Sequence, residues 1–347
     1  MWRLPRSPPR GRPFPPAKIR LLLVAVLALC ACELTFDPAK RTCTPKRCVA
    51  GGCGAVPDGC GHTLDCRCMA PNVCGGYGTP KVCGVVHPYA SWPAPPDAPS
   101  DYADNQDGTV TDNVTGLVWE AAGGREGLAT WEQAKAYCAS LSLAGRAWRL
   151  PSRIELVSLV DFTNTTGPLI DTAAFPGTPG HPFWASSAYA HGKASGWYVD
   201  FGTGHVGPDT ASLGGAGVRC VAAGAAAPAV HYTVHADTVL DNGTGLTWER
   251  APSAVKYDLA EANGYCQTLG LDGESWRLPT LKELETIVDE TTYNPAIDSA
   301  VFLGMSSATY FWSSSGSEAA TAWFVNFSAG ATANVDATSS YYVRCVR

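Results

Sequence analysis

Trp148-Arg149-Leu150-Pro151-Ser152-Arg153-Ile154-Glu155-Leu156 decides the reading of this chain, because Trp276-Arg277-Leu278-Pro279-Thr280-Leu281-Lys282-Glu283-Leu284 repeats it. The match extends outward on both sides. Upstream, Gly116-Leu117-Val118-Trp119-Glu120 recurs as Gly245-Leu246-Thr247-Trp248-Glu249, and Ala136-Tyr137-Cys138 as Gly264-Tyr265-Cys266. Downstream, Phe183-Trp184-Ala185-Ser186-Ser187 recurs as Phe311-Trp312-Ser313-Ser314-Ser315, and Trp197-Tyr198-Val199-Asp200-Phe201 as Trp323-Phe324-Val325-Asn326-Phe327. The copies close on Val218-Arg219-Cys220-Val221 and Val343-Arg344-Cys345-Val346. Self-similarity of this length means two domains of one fold. They are placed at 100–223 and 231–347, with an Ala-rich joint at 222–229.

The local chemistry of the repeat sets its elements. Thr130-Trp131-Glu132-Gln133 is a capping box that opens a helix through about Ser142, and Asp258-Leu259-Ala260-Glu261 is its copy. Ser152-Arg153-Ile154-Glu155 opens a second helix, to about Phe162, copied at Thr280-Leu281-Lys282-Glu283. Thr109-Val110-Thr111 and Leu117-Val118-Trp119 flank a turn, and Asp241-Asn242-Gly243-Thr244-Gly245 makes the equivalent hairpin. Trp197-Val199-Phe201 and Trp323-Val325-Phe327 alternate one face inward. Each copy thus reads as hairpin, helix, helix and about three strands, an α+β domain with an antiparallel sheet. Eight of the 11 Trp fall in matched pairs, which is expected of core residues. Each copy carries one Cys in its first helix and one in its last strand. Cys138 with Cys220, and Cys266 with Cys345, are therefore expected to bridge, closing loops of about 80 residues.

The chain ahead of the repeats has a different character. Basic, Pro-rich residues precede the apolar run Leu21 to Leu29, which is too short to span a bilayer and reads as a secretory signal over residues 1–31. The run ends at Leu29-Cys30-Ala31-Cys32, which resembles a bacterial lipoprotein box with Cys32 as the lipidated residue. Residues 32–42 would then be a lipid-anchored tether, with the protein exported to the outer membrane or cell surface. Eight Cys crowd residues 43–86 among Gly and Pro with few large apolar residues, which reads as a small disulfide framework in an exported chain. Zinc would need paired Cys-x₂-Cys ligands, and only Cys66 and Cys68 stand that near each other. Five Pro between His87 and Pro99 read as an extended, semi-rigid spacer.

Composition narrows the function classes. Of 347 residues, 16% are charged and 46% hydrophobic, which excludes a wholly disordered chain, and 36 Gly with 26 Pro imply many turns. The net charge of −6 conceals six basic groups in residues 1–31, which hold no acid. The remainder sets 19 basic against 31 acidic groups, or −12, which disfavours nucleic acid and other polyanions as partners.

Two helices, an antiparallel sheet and a bridge from first helix to last strand resemble a C-type-lectin-like domain. The motif series Gly-Leu-x-Trp-Glu, Trp-Arg-Leu-Pro-Ser/Thr-x-x-Glu-Leu, Phe-Trp-x-Ser-Ser and Val-Arg-Cys-Val is more specific and resembles the Lcl C-terminal domain family. That resemblance implies extracellular binding or adhesion with a glycan or cell-surface polymer as partner. It implies no catalysis and no cofactor. The Glu-Pro-Asn, Gln-Pro-Asp and Trp-Asn-Asp strings of calcium-dependent sugar lectins are absent, so calcium-independent binding is expected. Asp104-Asn105-Gln106-Asp107-Gly108 lacks the first ligand and the bidentate Glu of a calcium loop and reads as a turn. Ligand contacts are expected from loops at about 163–182, 202–217, 290–310 and 328–341. Tyr310, Tyr341, Tyr342, Asp200 and Asn326 are the candidate contacts. Two other functions compete. A structural envelope protein that contacts proteins has no separate sequence signature. An oxidase of the formylglycine-generating kind, which is lectin-like in fold, would need a spare thiol in each copy. The repeated Glu155 and Glu283 resemble paired catalytic acids, yet helix capping accounts for them.

Overall fold

The computed structural model describes residues 54–57, 63–66, 72–74, 83–85 and 89–347, apart from 124–129, 193–195, 210–214, 223–230, 306–308 and 318–319. The expected signal, the Cys32 anchor and the tether lie outside these residues, as do most of the Cys-rich region. Within that region Asn72–Cys74 pairs antiparallel with Cys83–Val85, and Cys66 is buried and disulfide-bonded. Both repeats lie in one compact unit.

Each repeat begins with a hairpin fixed by an Asp side chain. Thr109–Asp112 pairs with Val118–Glu120, and Asp112 Oδ1 accepts from the backbone N–H of Val114 and Thr115 in the turn between them. Gly116 then takes φ +70°, a left-handed conformation that costs a residue without Cβ nothing. The second repeat copies this with Asp241, Gly243, Thr244 and a left-handed Gly245. Tyr102–Asp104 extends the first hairpin, and Val221–Ala222 returns from the end of the domain to lie between Val118–Glu120 and Trp148–Arg149. In the second repeat Val346 bridges Trp248 and Arg277 in the same way. A separate three-stranded antiparallel sheet completes each domain: Pro182–Ala188, Gly196–Asp200 and Val206–Asp209 in the first, Tyr310–Gly316, Thr321–Asn326 and Ala331–Asp336 in the second. The last strand therefore closes the hairpin sheet rather than extending the sheet that carries the Trp-x-Val alternation.

The helices begin at the expected caps. We label Trp131–Ser140 α1, Arg153–Ser158 α2, Leu259–Thr268 α3 and Leu281–Thr286 α4. All four open with complete capping boxes, from Thr130, Ser152, Asp258 and Thr280. Helix α2 stops four residues short of the expected Phe162. Its final bonds tighten to i→i+3, from Leu159 N to Leu156 O and from Val160 N to Val157 O. Asp161 then turns the chain away, its Oδ1 accepting from the N–H and hydroxyl of Thr163.

Cys138–Cys220 and Cys266–Cys345 form as expected, each tying the first helix of its domain to the last strand. Around each bridge lies a private core: Trp148, Trp184 and Val218 in the first domain, Trp276, Trp312 and Val343 in the second. All four matched Trp pairs are at most 6% exposed, so they are core residues. A third and larger core is shared. It draws Trp119, Val157 and Phe183 from the first domain, Trp248, Leu284 and Phe311 from the second, and Ala90 and Trp92 from the Pro-rich segment.

That segment is not a spacer. Its backbone is irregular, as the prolines demand, but Ala90, Trp92, Pro95 and Ser100 are buried. Phe162 N–H of the first domain donates to Asp97 O, while the Asp97 carboxylate accepts from Ser315 of the second. Residues 89–100 are a strap across both domains, held by apolar burial that hydropathy around five prolines does not foreshadow.

Candidate functional site

The charged residues repeated between the copies have internal partners. Glu155 accepts a bidentate pair from Arg149 at 2.6 and 2.7 Å and also the Ser152 N–H. Glu283 does the same with Arg277 and Thr280. Arg219 and Arg344 are at most 1% exposed and donate to main-chain carbonyls, of Glu120 and Ala121 in one domain and of Glu249 and Arg250 in the other. Burial lowers both guanidinium groups to about 10, the reverse of what an exposed anion-binding Arg would show. Glu120 and Glu249 each take a Tyr hydroxyl and the N–H of the disulfide Cys in the last strand. These groups stitch helix, hairpin and closing strand together.

The five candidate ligand contacts fall into two sets. Asp200 Oδ1 accepts from Gly202 N–H, and Asn326 Oδ1 accepts from the N–H and hydroxyl of Ser328, so both shape the turn after their strand. Tyr310, Tyr341 and Tyr342 are half-buried on the second domain. Tyr341 packs on Trp312, Phe324 and Tyr310 at 4.8–5.3 Å, and Lys256 lies over the Tyr342 ring. Tyr310 and Tyr341 pack on the private core of the second domain, whereas Tyr342 packs on the shared core beside Phe311. Asp104 and Asp107 accept from main-chain N–H groups in their own turn, and no group of acidic, His or Cys residues among the described residues could hold a metal ion.

A cleft of about 320 Å³ opens instead where the two domains meet. The first domain contributes Phe162, Asn164, Thr165 and Leu169 after α2, and Thr203 and His205 between the last two strands of its three-stranded sheet. The second contributes Ser317 after Tyr310–Gly316, Trp323 from the middle strand and Asn334 from the outer one. Trp323 is 3% exposed and forms the floor. Phe162 and His205 meet its ring edge-on at 5.6 and 5.2 Å. Asn334 Nδ2 donates to Ser317 Oγ at 2.6 Å, which fixes the amide at the rim and leaves its carbonyl oxygen for another partner. Among the described lining residues none is Asp, Glu, Lys or Arg. None of the five candidate contacts lines the cleft.

Two helices and the strap hold the cleft. Helices α2 and α4 pack together, and Arg153 of α2 donates to the carboxylates of Glu285 and Glu290 of the second domain, all at most 4% exposed. Lys282 of α4 donates to Ser158 O of the first domain, and burial lowers its ammonium to about 8. Val206 N–H donates to Thr332 Oγ1, residues at equivalent positions of the two copies. The domains are thus related by an approximate two-fold rotation, with α2 against α4 and Val206–Asp209 against Ala331–Asp336 near its axis.

The loops expected to contact ligand, 163–182, 202–217 and 328–341, hold Asn164, Thr165, Leu169, Thr203, His205 and Asn334 of this lining, but sequence reading singled out none of these residues because the polar ones are not repeated. The repeated residue in it is Trp323, read correctly as core; His205, Ser317 and Asn334 differ from their counterparts Ala331, Tyr189 and Pro208. The signal lay in that divergence beside a repeated Trp.

Two domains, each with antiparallel sheets, two short helices and one helix-to-strand disulfide, agree with the family model of the Lcl C-terminal domain, which matches residues 108–222 and 237–347. The chain belongs to the Lcl C-terminal domain family, in two tandem copies. No curated protein matches it.

Proposed function

We propose that this protein is a surface lipoprotein that binds an extracellular glycan or cell-surface polymer without calcium and without catalysis, through domains of C-type-lectin-like fold. The observation that carries this reading is the cleft between the domains. It combines an aromatic floor, Trp323, with hydroxyl, amide and imidazole side chains at its rim and no Asp, Glu, Lys or Arg among the described lining residues. Such a site suits a polyhydroxylated ring, which offers an apolar face and many neutral hydrogen-bonding groups. Both Cys of each domain are in disulfides, which supports a binding role over an oxidase that needs a free thiol. Export and anchoring at Cys32 rest on residues 18–32 and on the disulfide chemistry of the rest of the chain. The same reading treats residues 43–86 as a disulfide-rich module that follows the anchor.

A glycan and bacterial polysaccharide array probed with the full chain in detergent, with and without chelator, tests the function. Binding to neutral or weakly charged glycans that survives chelation is the expected result. Absence of binding to every polymer on the array overturns it.

A further inference from the structure

We propose that the chain carries one saccharide-binding cleft, the junction cleft floored by Trp323, and that the position related to it by the approximate two-fold axis has been closed by an aromatic plug of Tyr189, His191 and Tyr293. The proposal rests on the glycan-binding reading above and names the site and ligand class: a neutral saccharide unit recognised through its hydroxyls.

The pseudo-symmetry makes the comparison direct. Gly204 of the first domain lies against Trp323 and Leu169, and Gly330 of the second lies against Trp197 and Ala296, its counterparts. Trp197 and Trp323 therefore occupy equivalent places, each facing the opposite domain. What covers them differs. Tyr189 stands 5.8 Å from Trp197, edge-on, and where the first domain has Tyr189 the second has Ser317. Tyr293 reaches across from the second domain to stack on His191 at 4.2 Å and to meet Tyr189 at 6.0 Å; the matching loop of the first domain, one residue longer before its cis proline, has Thr165 and Thr166 there. The chain between strands is also two residues shorter in the second domain, from Ser315 to Trp323 against Ser187 to Trp197, and no residue there matches His191. Two Tyr and one His on one side thus stand where the other has Ser and Thr, whose smaller side chains line the cleft.

The polar residues follow the same asymmetry. His205 and Asn334 line the open cleft, and their counterparts are Ala331 and Pro208. Even with the plug removed, the closed side would lack an imidazole and an amide. One side has a cleft lined by neutral hydrogen-bonding groups; on the other the rings of Tyr189, His191 and Tyr293 pack on one another beside Trp197. Binding within one chain is then monovalent, and avidity requires several chains on one surface.

The test takes the full chain and a panel of neutral disaccharides (maltose, cellobiose, lactose and chitobiose) beside a sulfated heparin disaccharide, read by ligand-observed NMR, with calorimetry on any ligand found. A neutral disaccharide is expected to bind with a stoichiometry of about one per chain. The double variant Thr165→Tyr/Ser317→Tyr, which places the plug's tyrosines in the open cleft at exposed and half-buried positions, is expected to weaken binding about tenfold or more with unchanged thermal unfolding. Tyr293→Thr, on the plugged side, is expected to leave affinity and stoichiometry unchanged. Full binding by a folded Thr165→Tyr/Ser317→Tyr variant, or loss of binding in Tyr293→Thr, overturns the site and leaves glycan binding standing. Preference for the sulfated probe overturns the ligand class. If neither these probes nor the array bind, the functional reading falls and this proposal falls with it.

Discussion

Glu155 shows why a repeated carboxylate need not be catalytic. One side chain closes the capping box of α2 and holds Arg149 in a bidentate pair, so its two oxygens are already engaged. Glu155→Gln keeps a cap acceptor and loses the charge pair, whose Arg side chain is 46% exposed. It is expected to cost about 1 kcal/mol in urea unfolding, and Glu155→Ala about 2 kcal/mol, with saccharide binding unchanged in both. A loss of binding without loss of stability would show that Glu155 acts in the site and not only as a cap. Capping was readable because it depends on four consecutive residues. Arg219 was not: its Thr178 partner is distant in sequence, and only the fold brings the two together at 2.6 Å.

At the scale of elements, the contact of α2 with α4 departs from the repeat. Arg153, Val157 and Phe162 align with Leu281, Glu285 and Glu290, so the two helices present unlike faces to each other. Burial raises the Glu285 carboxyl to about 7 despite Arg153 beside it, and raises Glu290 as well. Removing the cation strands two buried acids. Arg153→Met is expected to destabilise the chain by about 3–5 kcal/mol, and adding Glu285→Gln and Glu290→Gln to recover most of that loss, as measured by denaturant midpoints. Equal midpoints for the single and triple variants would show that Arg153 acts by packing alone. The helices were legible from their caps and the hairpins from their turns. The strap was not, since proline-rich sequence describes its backbone and says nothing of the groove it fills.

The molecule as a whole carries several buried acids whose protons are held more tightly in the folded chain. Burial raises Glu285 to about 7 and Asp241 to about 6, and raises Glu290 and Asp97 too. A raised carboxyl favours folding below its unfolded value and loses that advantage as pH climbs through its folded value. Lys282 behaves oppositely, but its lowered value of about 8 means its cost is fully present throughout the acidic range. The midpoint of thermal unfolding is therefore expected to rise as pH falls from about 8 to about 5. A midpoint that falls over that interval would show that Arg153 and the turn N–H groups keep these carboxyls ionised. Because one core joins both domains and the strap, the transition should be single in calorimetry.

The sequence by itself determined that two copies of one domain are present, where their helices start, which Trp are core and which Cys pair. Each of these follows from local rules or from comparing the chain with itself. The tertiary structure alone decided that the copies pack face to face, that residues 89–100 bind them together, and that the polar cleft lies at their junction on one side of a near-symmetric pair. The physical reason is that a cleft is a difference in volume between residues far apart in sequence. Thr165, His205, Ser317 and Asn334 have no common motif, and they become a site only when the rotation relating the domains brings them around Trp323.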